Sequence, residues 1–269
     1  MSFLSDMTES MFFRGTSLPY WSAQHYGLTA EYGEASISDK ESVCYQVLQP
    51  RLSTGQSCKG FVLFFHSGQF NMSYNLQQVA YLALEGYAVG LFDYRGIGHS
   101  QGSTTLTGIA IDGETAWKAI NEVPGNLEKY CMNRLAVLGQ GVGADAALRF
   151  AANHSSEVKA LVVESIYATR KGWLKERYGP VVGDVISKLL KSDALEPIEV
   201  LPTIQCPLVV VKPKKDDFVR KTEQALLSAV LPEQAEVWDV PGKSYLGVFS
   251  DNNSPFRGRL TEFLKQSFK

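Results

Sequence analysis

Short, dense apolar runs alternate with longer amphipathic stretches along most of the chain. The runs are GFVLFFH (60–66), YAVGLFD (87–93), RLAVLG (134–139), ALVVES (160–165), PLVVVK (207–212) and AEVWDV (235–240). Their β-branched and aromatic residues leave little polar alternation, as in strands covered on both faces. Between them, NLQQVAYLALEG (75–86), DGETAWKAINEV (112–123) and GADAALRFAANH (143–154) carry apolar residues at helical spacing. Gly86 and Pro124 stand where such helices stop. Upstream, ASISDKESVCYQVLQP (35–50) alternates around a polar turn from Ser38 to Ser42 and predicts two antiparallel edge strands.

Alternating strands and helices imply right-handed crossovers and a mostly parallel sheet with helices on both faces. The expected fold is therefore α/β, with a twisted sheet of about eight strands in a single domain over residues 1–269. The alternation pauses between Ile166 and Cys206, where GWLKERYGPVVGDVISKLLKSDALEPIEVLP predicts a small helical cap over 166–206. An aromatic-rich arm precedes the first strand, and it packs either on its own sheet or on a neighbour's.

Composition narrows the classes. Hydrophobic residues make up 45% and charged residues 20%, a balance that supports a substantial core. A net charge of −2 leaves no electrostatic footprint for nucleic acid. The one basic cluster, Lys212, Lys214 and Lys215, is followed at once by Asp216 and Asp217 and reads as a solvated loop. Cys44, Cys58, Cys131 and Cys206 lack metal-ligand spacing and read as reduced thiols, so neither metal nor cofactor is expected. The run FVLFF is too short to span a bilayer, and MSFLSDMTESMFF has no basic start or long apolar stretch, which predicts a cytoplasmic protein.

Two glycine-rich stretches compete for the chemistry. GHSQG (98–102) fits the G-x-S-x-G pattern of a nucleophile elbow, which requires strand, sharp turn and helix in immediate succession. It lies instead inside the long loop YRGIGHSQGSTTLTG (94–108). GQGVG (139–143) does meet the requirement, between RLAVLG and a helix, and its centre is Gly141.

HSG after the third strand, DYRGIGHSQGS after the fourth, GQGVG, VVESIYA after the sixth, KPKKDDFV after the seventh and VPGKSYLG after the eighth occur in a familiar order. Over roughly residues 28–267 the chain resembles the α/β hydrolases of the serine-peptidase, esterase and acylglycerol-lipase branch. The resemblance implies a serine at the elbow, an acid after the seventh strand and a histidine after the eighth. The matching positions here hold Gly141, Asp216 and Tyr245, and the H-G expected before the acid is Lys212-Pro213. It further implies an oxyanion hole from the backbone N–H groups of Val142 and about Gly68, beside Gln140, Ser67 and His66.

Glycine offers no hydroxyl, and a phenol with an ordinary pKa near 10 is a poor base at neutral pH. Three readings follow. The first is a non-hydrolytic binding or regulatory module for a small acyl or carbonyl ligand, in a pocket enlarged at the elbow by the missing side chain. The second is an enzyme of lyase type, for elimination or cyclisation, with Asp216 and Tyr245 or Glu164 moving a proton. The third is hydrolysis through Ser67 or Ser100. His66 and His99 read as structural, while His25 in the arm and His154 behind the elbow helix are expected far from the site. A protein partner or a homodimer is left open.

Overall fold

The computed structural model describes Glu9, residues 11–190 and residues 194–269. Residues 1–8 and 10 of the expected arm, and 191–193 of the expected cap, lie outside the described residues.

The strands of one large sheet are β1 (Ala30–Ser38), β2 (Glu41–Leu48), β3 (Phe61–Phe65), β4 (Ala88–Phe92), β5 (Leu135–Gln140), β6 (Val158–Glu164), β7 (Leu208–Lys215) and β8 (Ala235–Ser244). Their spatial order is β8-β7-β6-β5-β3-β4-β2-β1. β2 runs antiparallel to both neighbours, and the other pairings are parallel. The main helices are α1 (Met72–Leu84), α2 (Gly108–Glu122), α3 (Val142–Asn153), α4 (Arg170–Tyr178), α5 (Pro180–Ser187), α6 (Lys221–Ser228) and α7 (Pro255–Ser267).

The dense apolar runs are strands because both faces of the sheet are covered. In β3, Phe61, Leu63 and Phe65 face a core shared with Ala116, Trp117 and Ile120 of α2 and Leu148 and Phe150 of α3. Val62 and Phe64 face the opposite core, built with Leu76, Val79 and Leu82 of α1 and Leu260 and Leu264 of α7. All five β3 side chains are buried, so neither parity has room for a polar residue. β8 runs four residues past the predicted end at Val240, because its ladder with β7 resumes at Ser244 and Lys215 after an irregularity.

The chain leaves β3 to form β4 on one side and returns to form β5 on the other. This reversal opens a crevice at the carboxyl ends of β3 and β5, the place where open α/β sheets bind ligands. Two segments outside the large sheet approach it. Arg14–Gly15 of the arm pairs in parallel with Gln69–Phe70 of the loop after β3. The Asn71 side-chain amide donates to the carbonyls of Thr16 and Leu18, which holds the arm down.

The helices between β6 and β7 are anchored through charge. Arg170, at the start of α4, donates to both oxygens of the buried Asp145 of α3, from Nε at 3.1 Å and from Nη2 at 2.9 and 3.1 Å. Tyr167 Oη and Arg149 Nε also donate to that carboxylate. Among the described residues no helix is long and apolar enough to cross a membrane, and no group of His, Cys, Asp and Glu is arranged to hold a metal ion.

Candidate functional site

β5 ends at Gln140, Gly141 turns sharply with φ 58° and ψ −123°, and α3 begins at Val142. This is the strand, turn and helix that the spacing of GQGVG predicts. A Cβ at Gly143 would stand 2.2 Å from the His66 carbonyl oxygen, so glycine is what lets α3 pack directly on the end of β3. Gly141 meets a different constraint. A Cβ there would lie 2.1 Å from Tyr245 Oη and 3.1 Å from Cζ. The phenol occupies the place where an elbow side chain would begin. The expected enlargement of the pocket at the elbow is therefore absent, because the residue facing the glycine has grown into the space.

Tyr245 follows β8 and stacks face to face on Phe218, with ring centroids 4.6 Å apart and planes 11° apart. Its hydroxyl is buried without a well-formed hydrogen bond. Burial drives the phenol well above its ordinary pKa, against the opposing effect of the nearby Ser67 hydroxyl. It is a neutral group at any ordinary pH.

Asp216 lies in the turn after β7, where Oδ1 accepts from the backbone N–H groups of Phe218 at 2.9 Å and Val219 at 3.0 Å. Its Oδ2 is buried without a partner. Burial raises its pKa despite the Val219 and Phe218 donors and the Ser165 hydroxyl. Glu164, at the end of β6, is fully buried and pushed up to about 8, again by burial, with Gln140 pulling the other way. Gln140 Nε2 donates to Glu164 Oε2 at 2.5 Å and to Gln78 Oε1 at 3.3 Å. Sequence reasoning places Gln140 among the ligand-binding residues, whereas its buried side chain is engaged inside the protein by these two partners.

The loop after β3 is also inward-looking. Gly68 donates its N–H to His66 Nδ1 at 3.2 Å, and its carbonyl accepts from Arg14 N. With Nδ1 accepting, the His66 proton sits on Nε2, which faces Asp93 Oδ1 at 3.6 Å. Burial lowers the His66 pKa to about 3, so the ring is neutral. It also raises Asp93 to about 7, opposed by the bond from Met72 N. Ser67 is buried, and its hydroxyl accepts from Gln69 N at 3.3 Å. Phe13 of the arm packs where a Cβ of Gly68 would point, beside the Val142 side chain. The Val142 N–H, first in α3, has no acceptor among the described residues.

The remaining hydroxyl and histidines are placed elsewhere. Ser100 donates to the Asp93 carbonyl at 2.7 Å and accepts from Cys44 N at 2.9 Å, which ties the glycine-rich loop to β2. His154 bonds to Glu157 and Glu114 at the far end of α3. His25 pairs with Ser22 in the short helix of the arm.

Above the elbow lies a cleft of about 300 Å³, lined by Phe12, Arg14, Trp173, Arg177, Phe218 and Tyr245 among others. Of the predicted site residues only Tyr245 reaches it. The arm and α4 supply most of the rest, and sequence reasoning missed them because no motif marks them. The one available signal is the helical spacing of Trp173 and Arg177, which sets both on one side of α4.

Sheet order, elbow and crevice together define an α/β hydrolase. More narrowly, residues 56–225 match the model of the family described as serine aminopeptidase, S33, and the chain belongs to that family. It is 26% identical over 200 residues to the protein bem46 of Schizosaccharomyces pombe, a match over 73% of this chain and 64% of bem46. The chain thus spans less than two thirds of that relative's length. The protein YfhR of Escherichia coli K12 is 21% identical over 208 residues, 76% of this chain and 69% of its own. The fold is shared with the Pyrococcus furiosus esterase Pf2001 at a TM-score of 0.73 and 18% identity, over 96% of this chain and 98% of that one. It is shared also with the proline iminopeptidase of Mycobacterium smegmatis at a TM-score of 0.65 and 15% identity, over 88% and 98% of the two chains.

Proposed function

We propose that this chain is a hydrolase-fold binding module that holds a small acyl or carbonyl ligand without hydrolysing it. One observation carries the reading: a neutral phenol stands 2.1 Å from the point where a nucleophile's side chain would start at Gly141. Acyl transfer by this fold needs a hydroxyl at that apex and a base that takes its proton. The apex here has no side chain, and the group facing it is a base only far above neutral pH. Ser100 and Ser67 offer no substitute, because Ser100 is bonded on both sides to backbone and Ser67 has no imidazole bonded to it. The ligand class is supported by the esterase and iminopeptidase names of proteins with the same fold.

One observation favours proton-transfer chemistry as a second reading. Asp216 and Glu164 are buried carboxyls with raised pKa values, and among the described residues no Lys or Arg pairs with either and each has an oxygen without a partner. In that case Asp216 would be the base and Val142 N–H would stabilise an enolate oxygen.

Incubation with a fluorophosphonate probe tests the first reading. No serine is expected to be labelled, and stoichiometric labelling of Ser67 or Ser100 on peptide mapping would overturn it. The lyase reading requires turnover that Asp216→Asn abolishes.

A further inference from the structure

Two thiols meet far from the crevice. Cys58 stands just before β3 and Cys131 just before β5, at the ends of those strands opposite the elbow. Cys131 Sγ donates to the Cys58 carbonyl oxygen at 3.2 Å, and Cys58 Sγ donates to the Tyr130 carbonyl oxygen at 3.4 Å. Each sulfur therefore rests against the backbone that carries the other. Burial pushes the Cys58 thiol up against the backbone groups of Gly60 and Ala88, and the Cys131 thiol beside it adds to the rise. Main-chain bonds hold the two segments together: Phe61 N–H donates to the Arg134 carbonyl and Arg134 N–H to the Cys131 carbonyl, both at 2.9 Å. Cys58 is buried, whereas Cys131 is partly exposed. Cys131 also has a φ of 49°, in the left-handed region. It closes the short helix Asn126–Lys129, with Met132 N–H donating to the Leu127 carbonyl and Cys131 N–H to the Glu128 carbonyl, at a position where Gly or Asn is usual. A non-glycine residue kept in so sparsely populated a conformation points to a role for its side chain. Cys44 and Cys206 lie on other elements, in β2 and ahead of β7.

We propose that Cys58 and Cys131 form a redox pair, which closes to a disulfide by exchange with a low-molecular-weight disulfide and so locks the segment from β3 to β5. Cys131, the accessible thiol, loses its proton and attacks one sulfur of the external disulfide, whose S–S bond breaks and releases one thiolate. Cys58 Sγ then loses its proton and attacks Cys131 Sγ, which breaks the mixed disulfide and releases the second thiolate. Two protein thiols are oxidised, the external disulfide is reduced to two thiols, and the two protons pass from the protein sulfurs to those thiols. Burial sets the order of the steps, because it shields Cys58 from the external reagent but not from Cys131. The bond joins residues 73 apart and encloses β3, α1, β4 and α2. A cross-link over so long a loop stabilises chiefly by restricting the unfolded chain. Since the pair lies at the ends of β3 and β5 away from Gly141, the bond acts on stability rather than on the crevice.

Incubation of the folded, full-length chain with excess glutathione disulfide, followed by alkylation and peptide mapping, tests the proposal. The parent should lose two hydrogens and yield a cross-linked Cys58–Cys131 peptide, and dithiothreitol should reverse the change. The oxidised form should melt about 5 °C or more above the reduced form. C58S, whose hydroxyl can keep the donations to the Gly60 and Tyr130 carbonyls, should stop with one glutathione on Cys131. C131G suits the left-handed backbone and should show neither the cross-link nor an oxidant-dependent gain in melting temperature. A glutathione adduct that persists on Cys131 in the parent, a cross-link to Cys44, Cys206 or a second chain, or a C58S variant that gains no adduct on Cys131 overturns the pair. An oxidised parent that melts no higher than the reduced one, or an equal gain in C131G, overturns the lock.

Discussion

Gly141 and Tyr245 form a pair in which each residue explains the other. At φ 58° and ψ −123° a residue with a side chain is strained by about 1–3 kcal/mol, and glycine avoids most of that cost. The phenol adds a second obstacle, since Oη lies 2.1 Å from any Cβ placed there. Gly141→Ala should therefore lower the unfolding free energy by more than backbone strain alone predicts. Tyr245→Phe should by itself be close to neutral, because the buried hydroxyl has no well-formed hydrogen bond to lose. In the Tyr245→Phe background the cost of Gly141→Ala should shrink but not vanish, because the strain and the 3.1 Å approach of Cζ remain. Urea unfolding of the two single variants and the double variant gives this coupling directly, and strictly additive costs would show that Oη does not fill the elbow.

Helix α3 carries the elbow at one end and, within its first turn, the carboxylate that anchors the β6–β7 helices. Asp145 is wholly buried, and Arg170, Tyr167 and Arg149 all donate to it. Removing one partner of a buried ion pair leaves a desolvated charge and costs about 3–5 kcal/mol. Arg170→Ala should lower stability by that order, and amide exchange across α4 should quicken by more than exchange in β3 and β5. Comparable slowing or quickening in all three elements would argue against a local anchor. The core strands were legible because burial on both faces forces dense apolar runs, and the elbow because its glycines follow a strand without a gap. Helix α7 was not predicted, although Phe256, Leu260, Phe263 and Leu264 fall at helical spacing. The Asp145–Arg170 pair joins residues 25 apart, and the meeting of Tyr245 with Gly141 spans most of the C-terminal half. Such contacts depend on tertiary geometry, which no local spacing encodes. For the same reason no local spacing brings Arg14 and Arg177 to one cleft.

At the scale of the whole molecule, burial dominates the electrostatics of the crevice, and its sign can be measured. Glu164 is held up to about 8, among Gln140, Asp216, Tyr81 and Tyr245, while an unfolded chain releases that proton near the ordinary carboxylate range. Between those two values the folded state binds one more proton than the unfolded state, so stability falls as pH rises through the window. Asp93, raised to about 7 by burial beside His66, acts in the same direction. So does His154, where Glu157 and Glu114 outweigh burial and raise its pKa, so that its contribution fades above the ordinary histidine range. Carboxylates with lowered values, Glu31 and Asp251, act oppositely but only at more acidic pH. The melting temperature should therefore decline from pH 5 to pH 8. Glu164→Gln keeps a neutral group of the same shape and removes one of these proton differences. The variant's melting temperature relative to the parent should rise steadily over that interval, and a constant difference would mean that Glu164 is already ionised in the folded protein.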